Sequence, residues 1–159
     1  MVLDFGKNRQ IRYEENVKCD FPEQITIHPI VVFKVHDEVD MIVRHSTLYI
    51  TSDTKHDYYA VFTFLRESID QLKNQSIQQF IIWSDGSASQ YKCTTALYLL
   101  SQMPEQITWN YYGSEHGKSE CDGELGIFNR QLDLAIKAGA VLTDAKVITE
   151  YCNENMALD

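Results

Sequence analysis

Apolar and polar residues follow two different periods along this chain, and the change between them divides it. Val2-Leu3-Asp4-Phe5 is a short apolar run that stops at a turn-like Gly6-Lys7-Asn8, the mark of a strand end. Residues 9–24 are polar and irregular. Ile25 to Val35 is rich in β-branched residues and predicts a second strand. Pro29 lies inside it without a backbone donor, which suggests an edge, a bulge or a late start. Asp37-Glu38-Val39-Asp40 predicts a turn, and the alternation of Ser46 to Thr51 a third strand. Three strands in succession predict a β-meander.

The period then becomes helical. Val61, Phe62, Leu65, Ile69 and Leu72 recur at helical spacing between Asp57 and Asn74. Phe80-Ile81-Ile82-Trp83 is a continuous apolar run, which predicts a strand buried on both faces and ending at Ser84-Asp85-Gly86-Ser87. Cys93, Ala96, Leu97, Leu100 and Met103 form a second helical stripe that Pro104 terminates, and Ile107 to Tyr112 predicts a further strand. After a polar loop, Gly113 to Glu120, the residues Leu125, Phe128, Leu132, Ala135 and Ile136 form a third stripe closed by Gly139. Thr143 is placed to cap a last helix through Tyr151. The reading is an α/β fold: a mixed five-stranded sheet in the order β-β-β-α-β-α-β-α, helices on its faces, and a tail helix from about residue 143.

Length and charge narrow the function. At 159 residues the chain is expected to form one domain over 1–159. A hydrophobic content of 44% excludes a disordered acidic tail. No apolar run reaches membrane-spanning length, so no membrane partner is expected, and the start lacks a secretory apolar stretch, so secretion is not expected. The formal charge of −9 argues against autonomous gripping of nucleic-acid phosphates. Cys19, Cys93, Cys121 and Cys152 are widely spaced with no C-x-x-C pair, which predicts free thiols rather than a zinc site. Neither Ser84 nor Ser87 sits in a G-x-S-x-G elbow, so serine-hydrolase chemistry is not supported.

The surplus acids are either a solvated surface or, in part, a cation site. Asp4 closes the first strand and Asp85 the fourth. If those strands are parallel neighbours, the two lie about 4.8 Å apart across the sheet. Carboxylates that close repel and raise each other's pKa unless a cation lies between them, and oxygen ligands suit Mg²⁺ or Mn²⁺. Asp122, three residues before Leu125, is expected to face the sheet as a third ligand or to cap its helix, with Glu120 and Glu124 about 200° around, toward solvent. His116 and Lys118 could contact a phosphate, and Gly86, Gly117 and Gly123 would let backbone approach closely.

The strings DFGKN, IHPIVVF, KHDYYAVFTFL, WSDGSASQYK and WNYYGSEHGKSECDG occur here in that order. Together they resemble a family of transposon-derived proteins of animal genomes that read DFAEN, HP, KHD, SDG-x-x-SQ-[FY]-K and HGK-x-x-x-DG. That family is similar to the catalytic domain of cut-and-paste transposases with an all-aspartate or aspartate-aspartate-glutamate triad. The resemblance spans roughly residues 2 to 150. It implies a ribonuclease-H-like fold, with Asp4, Asp85 and Asp122 as catalytic residues and metal ligands for two Mg²⁺ or Mn²⁺ ions. His116, Lys118, Gln90 and Lys92 would be phosphate or supporting contacts. Asp85 and Asp122 stand 37 positions apart, close to the spacing of such second and third acids. The implied chemistry is phosphodiester cleavage and strand transfer on DNA, and the implied location is nuclear. The chain departs from the pattern at Lys7, where the family has an acid, and at Leu125, where it has glycine. With three residues before Asp4, the resemblance also implies an N-terminally truncated core. DNA would be a partner only through an additional DNA-binding domain, and a homo-oligomer is open.

Two readings therefore stand at the sequence level. One is a metal-dependent polynucleotidyl transferase or nuclease core. The other is a non-catalytic, domesticated or decaying transposon remnant, acting at most as a protein-interaction module.

Overall fold

A computed structural model of the chain describes residues 1–6, 8–11, 24–36, 41–75, 77–113 and 120–156. In chain order it contains β1 (Val2–Leu3), β2 (Arg9–Gln10), β3 (Gln24–His36), β4 (Met41–Thr51), α1 (Tyr58–Lys73), β5 (Gln79–Ser84), α2 (Thr94–Ser101), β6 (Gln106–Tyr111), α3 (Glu120–Lys137) and α4 (Ala145–Asn155). Among the described residues this is a mixed α/β architecture with six strands rather than five. The extra strand, β2, lies where the sequence is polar and irregular. It is held by main-chain pairing with β3, Arg9 opposite Ile25, which hydropathy does not register. The Arg9 guanidinium also bonds Asn129 Oδ1 at 2.6 Å and pairs with Asp133, tying this strand to α3.

The sheet is built around β3. One edge of β3 pairs antiparallel with β4 from Thr26↔Thr51 to His36↔Met41. Its other edge takes β1 and, further along, β2. β5 joins β1 in parallel, Val2 opposite Trp83, and β6 joins β5 in parallel. Across the sheet the order is therefore β4, β3, β1 with β2 in line behind it, β5, β6, and only β3 runs against the rest. The expected turn at 37–40 lies outside the described residues. β4 begins five residues earlier than its alternation predicts, because its whole length finds partners on β3.

Pro29 proves to be interior to β3, paired with Leu48. Its carbonyl accepts from Asp4 N at 3.4 Å, on the β1 side. A strand residue's N–H and C=O point to the same edge, so the missing donor falls where the β1 ladder has already ended at Leu3. The proline thus costs no ladder bond.

Alternation puts two cores on opposite faces. Leu3, Ile30, Val32, Phe80 and Ile82 pack against Val61, Leu65, Ile69 and Leu72 of α1. Ile25 and Ile27 pack against Phe128, Leu132 and Ala135 of α3 and Ile148 and Cys152 of α4. The expectation of two-sided burial for β5 is wrong. Its burial alternates, with Ile82 fully buried but Ile81 61% and Trp83 39% exposed, because α3 lies over β1 and β3 rather than β5. Leu97 of the second stripe is likewise exposed, and α2 buries only Ala96.

The helix ends follow local chemistry. Asp57 caps α1 by accepting from Tyr59 N and Ala60 N. Asp144, not Thr143, caps α4, while the Thr143 hydroxyl donates to the Asp144 carboxylate at 2.9 Å. Gly139, at φ +95°, ends α3, with Ala140 N bonded to Ala135 O and Gly139 N to Ile136 O.

Gly6 is the tightest glycine in the chain's described part. A Cβ there would lie 2.6 Å from Ile27 O and 3.1 Å from a Leu125 methyl, while Gly6 N donates to that same carbonyl at 2.9 Å. Gly6→Ala is therefore expected to destabilise by about 1–3 kcal/mol, as overpacking against backbone does. Urea unfolding measures it, and an unchanged midpoint would show that the strand pair can spread at no cost.

Candidate functional site

The site is assembled where β1 and β5 end side by side. Val2 is in register with Trp83, so Asp4 and Asp85 each follow the last residue of neighbouring parallel strands. Continuing the alternation of Val2 and Trp83, both carboxylates fall on the sheet face that carries α3. The Asp4 carboxylate accepts from Phe5 N at 2.7 Å. Asp85 Oδ1 accepts from Ser87 N at 2.9 Å, which folds the chain back directly after β5. Behind it, Ser84 is fully buried, its hydroxyl donating to Asp85 O and accepting from Trp109 Nε1 at 2.9 Å.

The Tyr91 ring closes the site from the α1 side. Its phenol is pushed far above the ordinary tyrosine range, first by burial and then by the charges of Asp4 and Asp85. One neutral phenol thus senses both aspartates. Tyr112 is also raised, by burial first, then by Cys121, Asp4 and Glu120. Gln90, Tyr91 and Lys92 all donate main-chain N–H to Ser87 O, so these three form one tight turn after Asp85. Lys92 Nζ lies 5.5 Å from the centre of the Tyr111 ring, and the Tyr111 hydroxyl donates to Tyr91 O.

Asp122 lies in the first turn of α3, but it is Cys121 that faces the sheet. Cys121 is fully buried, its Sγ 3.5 Å from Val2 O and 3.6 Å from Pro29 O. Asp122 is exposed. Helical spacing from Leu125 alone did not fix the angle, because the stripe is centred on Cys121, Phe128 and Leu132. Glu124, expected to face solvent, is instead half-buried against β4, paired with Arg44 and bonded by Ser46 Oγ at 2.9 Å. Asp122 is about 160° from Glu124 around the helix, so it occupies the flank away from β4, toward β5. Among the described residues, no group of three or more His, Cys, Asp or Glu side chains converges to hold a metal ion. His116, Lys118 and Gly117 lie outside the described residues. Gly86 and Gly123 have nothing among the described residues within 4 Å of a built Cβ, so neither marks a close backbone approach there.

Sequence reasoning missed a second layer beside Asp4. The Phe5 ring meets the edge of His28 at 4.1 Å between centroids and stacks on His56 at 4.9 Å. His56 Nε2 bonds Asn8 Oδ1, which also accepts from Thr26 Oγ1 at 2.7 Å. His28 is 3% exposed and holds its pKa down at about 4, through burial first and the nearby His56 second, with Asp53 opposing. Its Nε2 has no partner among the described residues. The signal was present as the strings DFGKN, HP and KHD, but nothing in one dimension says that they meet.

A family model described as "Domain of unknown function (DUF8701)" matches residues 1–158. The chain belongs to this family. No curated protein and no solved structure matches it. Within this DUF8701 chain, Cys93 and Cys152 are free thiols, and Cys93 caps α2 by accepting from Ala96 N at 3.4 Å. Cys19 lies outside the described residues. No helix among the described residues is long and apolar enough to cross a membrane.

Proposed function

We propose that the chain is a transposase-derived, ribonuclease-H-like domain. Asp4 and Asp85 would hold a divalent cation for phosphodiester cleavage or strand transfer on DNA. The observation that carries this reading is the pair itself: two aspartates just past the carboxyl ends of adjacent, central, parallel strands. The strand order supports it too, with a single reversed strand and the short β1 in the middle. Such strand ends are where ligands bind in sheets of this kind.

The fit to Mg²⁺ or Mn²⁺ is a fit of two carboxylates, which is how Mg²⁺ commonly binds, the rest of its shell coming from water and phosphate. When bound, the ion would polarise a phosphoryl oxygen and activate water or a 3′-hydroxyl. The protein's part is to aim the two carboxylates at one point. The Ser87 amide fixes Asp85, the Phe5 amide fixes Asp4, and Tyr91 shields the pair on one side. Asp122 is the proposed third acid. It serves if the first turn of α3 draws toward β5, as a two-ion site requires. Gln90 and Lys92, in the turn after Asp85, are the proposed phosphate contacts, together with His116 and Lys118. The net charge of −9 leaves DNA delivery to an additional binding domain.

A non-catalytic interaction module is the second reading, favoured by the uncovered apolar face of the sheet at Phe33, Val35, Ile42, Ile81 and Trp83. DNA nicking separates the two. Wild type joined to a nonspecific DNA-binding domain, which the net charge of −9 calls for, is expected to nick supercoiled plasmid with millimolar Mn²⁺. Asp4→Asn and Asp85→Asn should each lower the rate by about a hundredfold or more, beyond the cost of losing a supporting partner. Nicking by wild type no faster than the metal-only blank favours the interaction module.

A further inference from the structure

Between β1 and β2 the main chain follows the edge of β3, with Asp4 N bonded to Pro29 O and Gly6 N to Ile27 O among the described residues. Side chains on this segment, after β1, tie it further to β3 and to the approach to α1. The Phe5 ring lies between His28, edge-on at 4.1 Å, and His56, stacked at 4.9 Å with the planes 21° apart. His28 is rigid because it is buried in β3, with Phe64 of α1 at 4.7 Å on its other side. His56, by contrast, lies just before α1, and its hold on the segment passes through Nε2 to Asn8 Oδ1. Asn8 is in turn bonded to Thr26 of β3.

We propose that His56 and Asn8 are positioning residues that clamp the segment after β1 and so aim the Asp4 carboxylate. The link to the carboxylate is direct, since it accepts from the amide of Phe5, the residue whose ring is clamped. The clamp joins three separated stretches of chain: the segment after β1, the first half of β3 and the N-terminal approach to α1. That the aimed carboxylate receives a divalent cation rests on the function proposed above, whereas the clamping of the segment does not.

The experiment reads the two separately. Amide hydrogen exchange is followed in wild type, His56→Ala, His56→Gln and Asn8→Ala, without metal, and Mn²⁺ affinity is measured on the same proteins by electron paramagnetic resonance. In His56→Ala and Asn8→Ala, exchange at Phe5 and Gly6 is expected to rise at least tenfold while the amides of Ile82 and Leu65 keep wild-type rates. Mn²⁺ affinity should fall by about tenfold, the lower end for a residue supporting a ligand. His56→Gln keeps a planar amide that can donate to Asn8, so it should recover most of both. Asn8 is exposed, so its variant reports even if His56→Ala fails to fold. Unchanged exchange at Phe5 and Gly6, or a rise matched by the core amides, overturns the clamp. Wild type that binds no Mn²⁺ while the variants still loosen Phe5 and Gly6 retires the metal reading and leaves the clamp standing.

Discussion

Wild type is expected to rise in melting temperature with Mn²⁺ if the proposed site binds it, and Asp85→Ala is expected to abolish that rise. A cation that binds only the folded chain stabilises it by mass action, by about 2.7 kcal/mol at a free concentration one hundred times its Kd. For a chain of this size that is a rise of about 5–10 °C. The effect requires two carboxylates close together, and Asp4 and Asp85, far apart in sequence, come to neighbouring strand ends only on folding, through the parallel register Val2↔Trp83. Removing Asp85 leaves Asp4 with no more than the exposed Asp122 beside it, a set that binds Mn²⁺ too weakly to register. Without metal, the same change removes the bond from Ser87 N to Asp85 Oδ1, so the variant's response to Mn²⁺ is read against its own metal-free melting curve. Asp122→Ala divides the cases further. A full loss would place the third acid at the ion, and a small one would leave it at the edge of the site, consistent with its exposed position in the first turn of α3. A wild-type melting curve indifferent to Mn²⁺ would sink the metal site.

Acid should weaken the fold through His28, by about 3 kcal/mol between pH 6.5 and pH 4. The folded chain keeps this imidazole neutral down to about pH 4, because burial penalises its charged form, while in the unfolded chain it titrates at 6.5. Above pH 6.5 both states are neutral and the full stability is present. As pH falls below 6.5 the unfolded state takes up a proton that the folded state refuses, so stability drops. Near pH 4 the folded state begins to protonate too and the loss levels off. The groups around His28 set this balance: His56 opposes its charge, Asp53 favours it, and Asp4 lines the same small cavity with Phe5, Phe64 and Tyr91. The separation between 6.5 and about 4 converts to roughly 3 kcal/mol. His28→Phe keeps the ring contacts with Phe5 and Phe64 and removes the titrating nitrogen. Its unfolding free energy should therefore fall more slowly with acid than that of wild type. Parallel curves for the two proteins over that range would mean that His28 is not held neutral by the fold.

Much of the architecture was legible because it depends on local periodicity. The helical stripes of α1 and α3, the long β3 run and the left-handed glycine at 139 all express spacing or single-residue conformational preference, and all recur in the fold. What failed depended on a partner. The run Phe80–Trp83 reads as doubly buried because its composition is uniform, yet only where α3 lies decides which face is covered. β2 has no apolar pattern and exists because β3 has an edge to offer. Asp122 was oriented from one neighbour, Leu125, when the buried line of α3 passes through Cys121.

The same division applies to the site. The sequence by itself determined which residue types end the strands, and so which acids, Asp4 and Asp85, were available for chemistry, because a strand's end is written in its own residues. Only the tertiary structure decided that those two ends are neighbours and run the same way, that Phe5, Asn8, His28 and His56 close around the segment between them, and that Gly6 lies against Ile27 O. These are through-space relations across tens of residues, set by sheet order and register, and no periodicity along the chain encodes the distance between strands that meet only on folding.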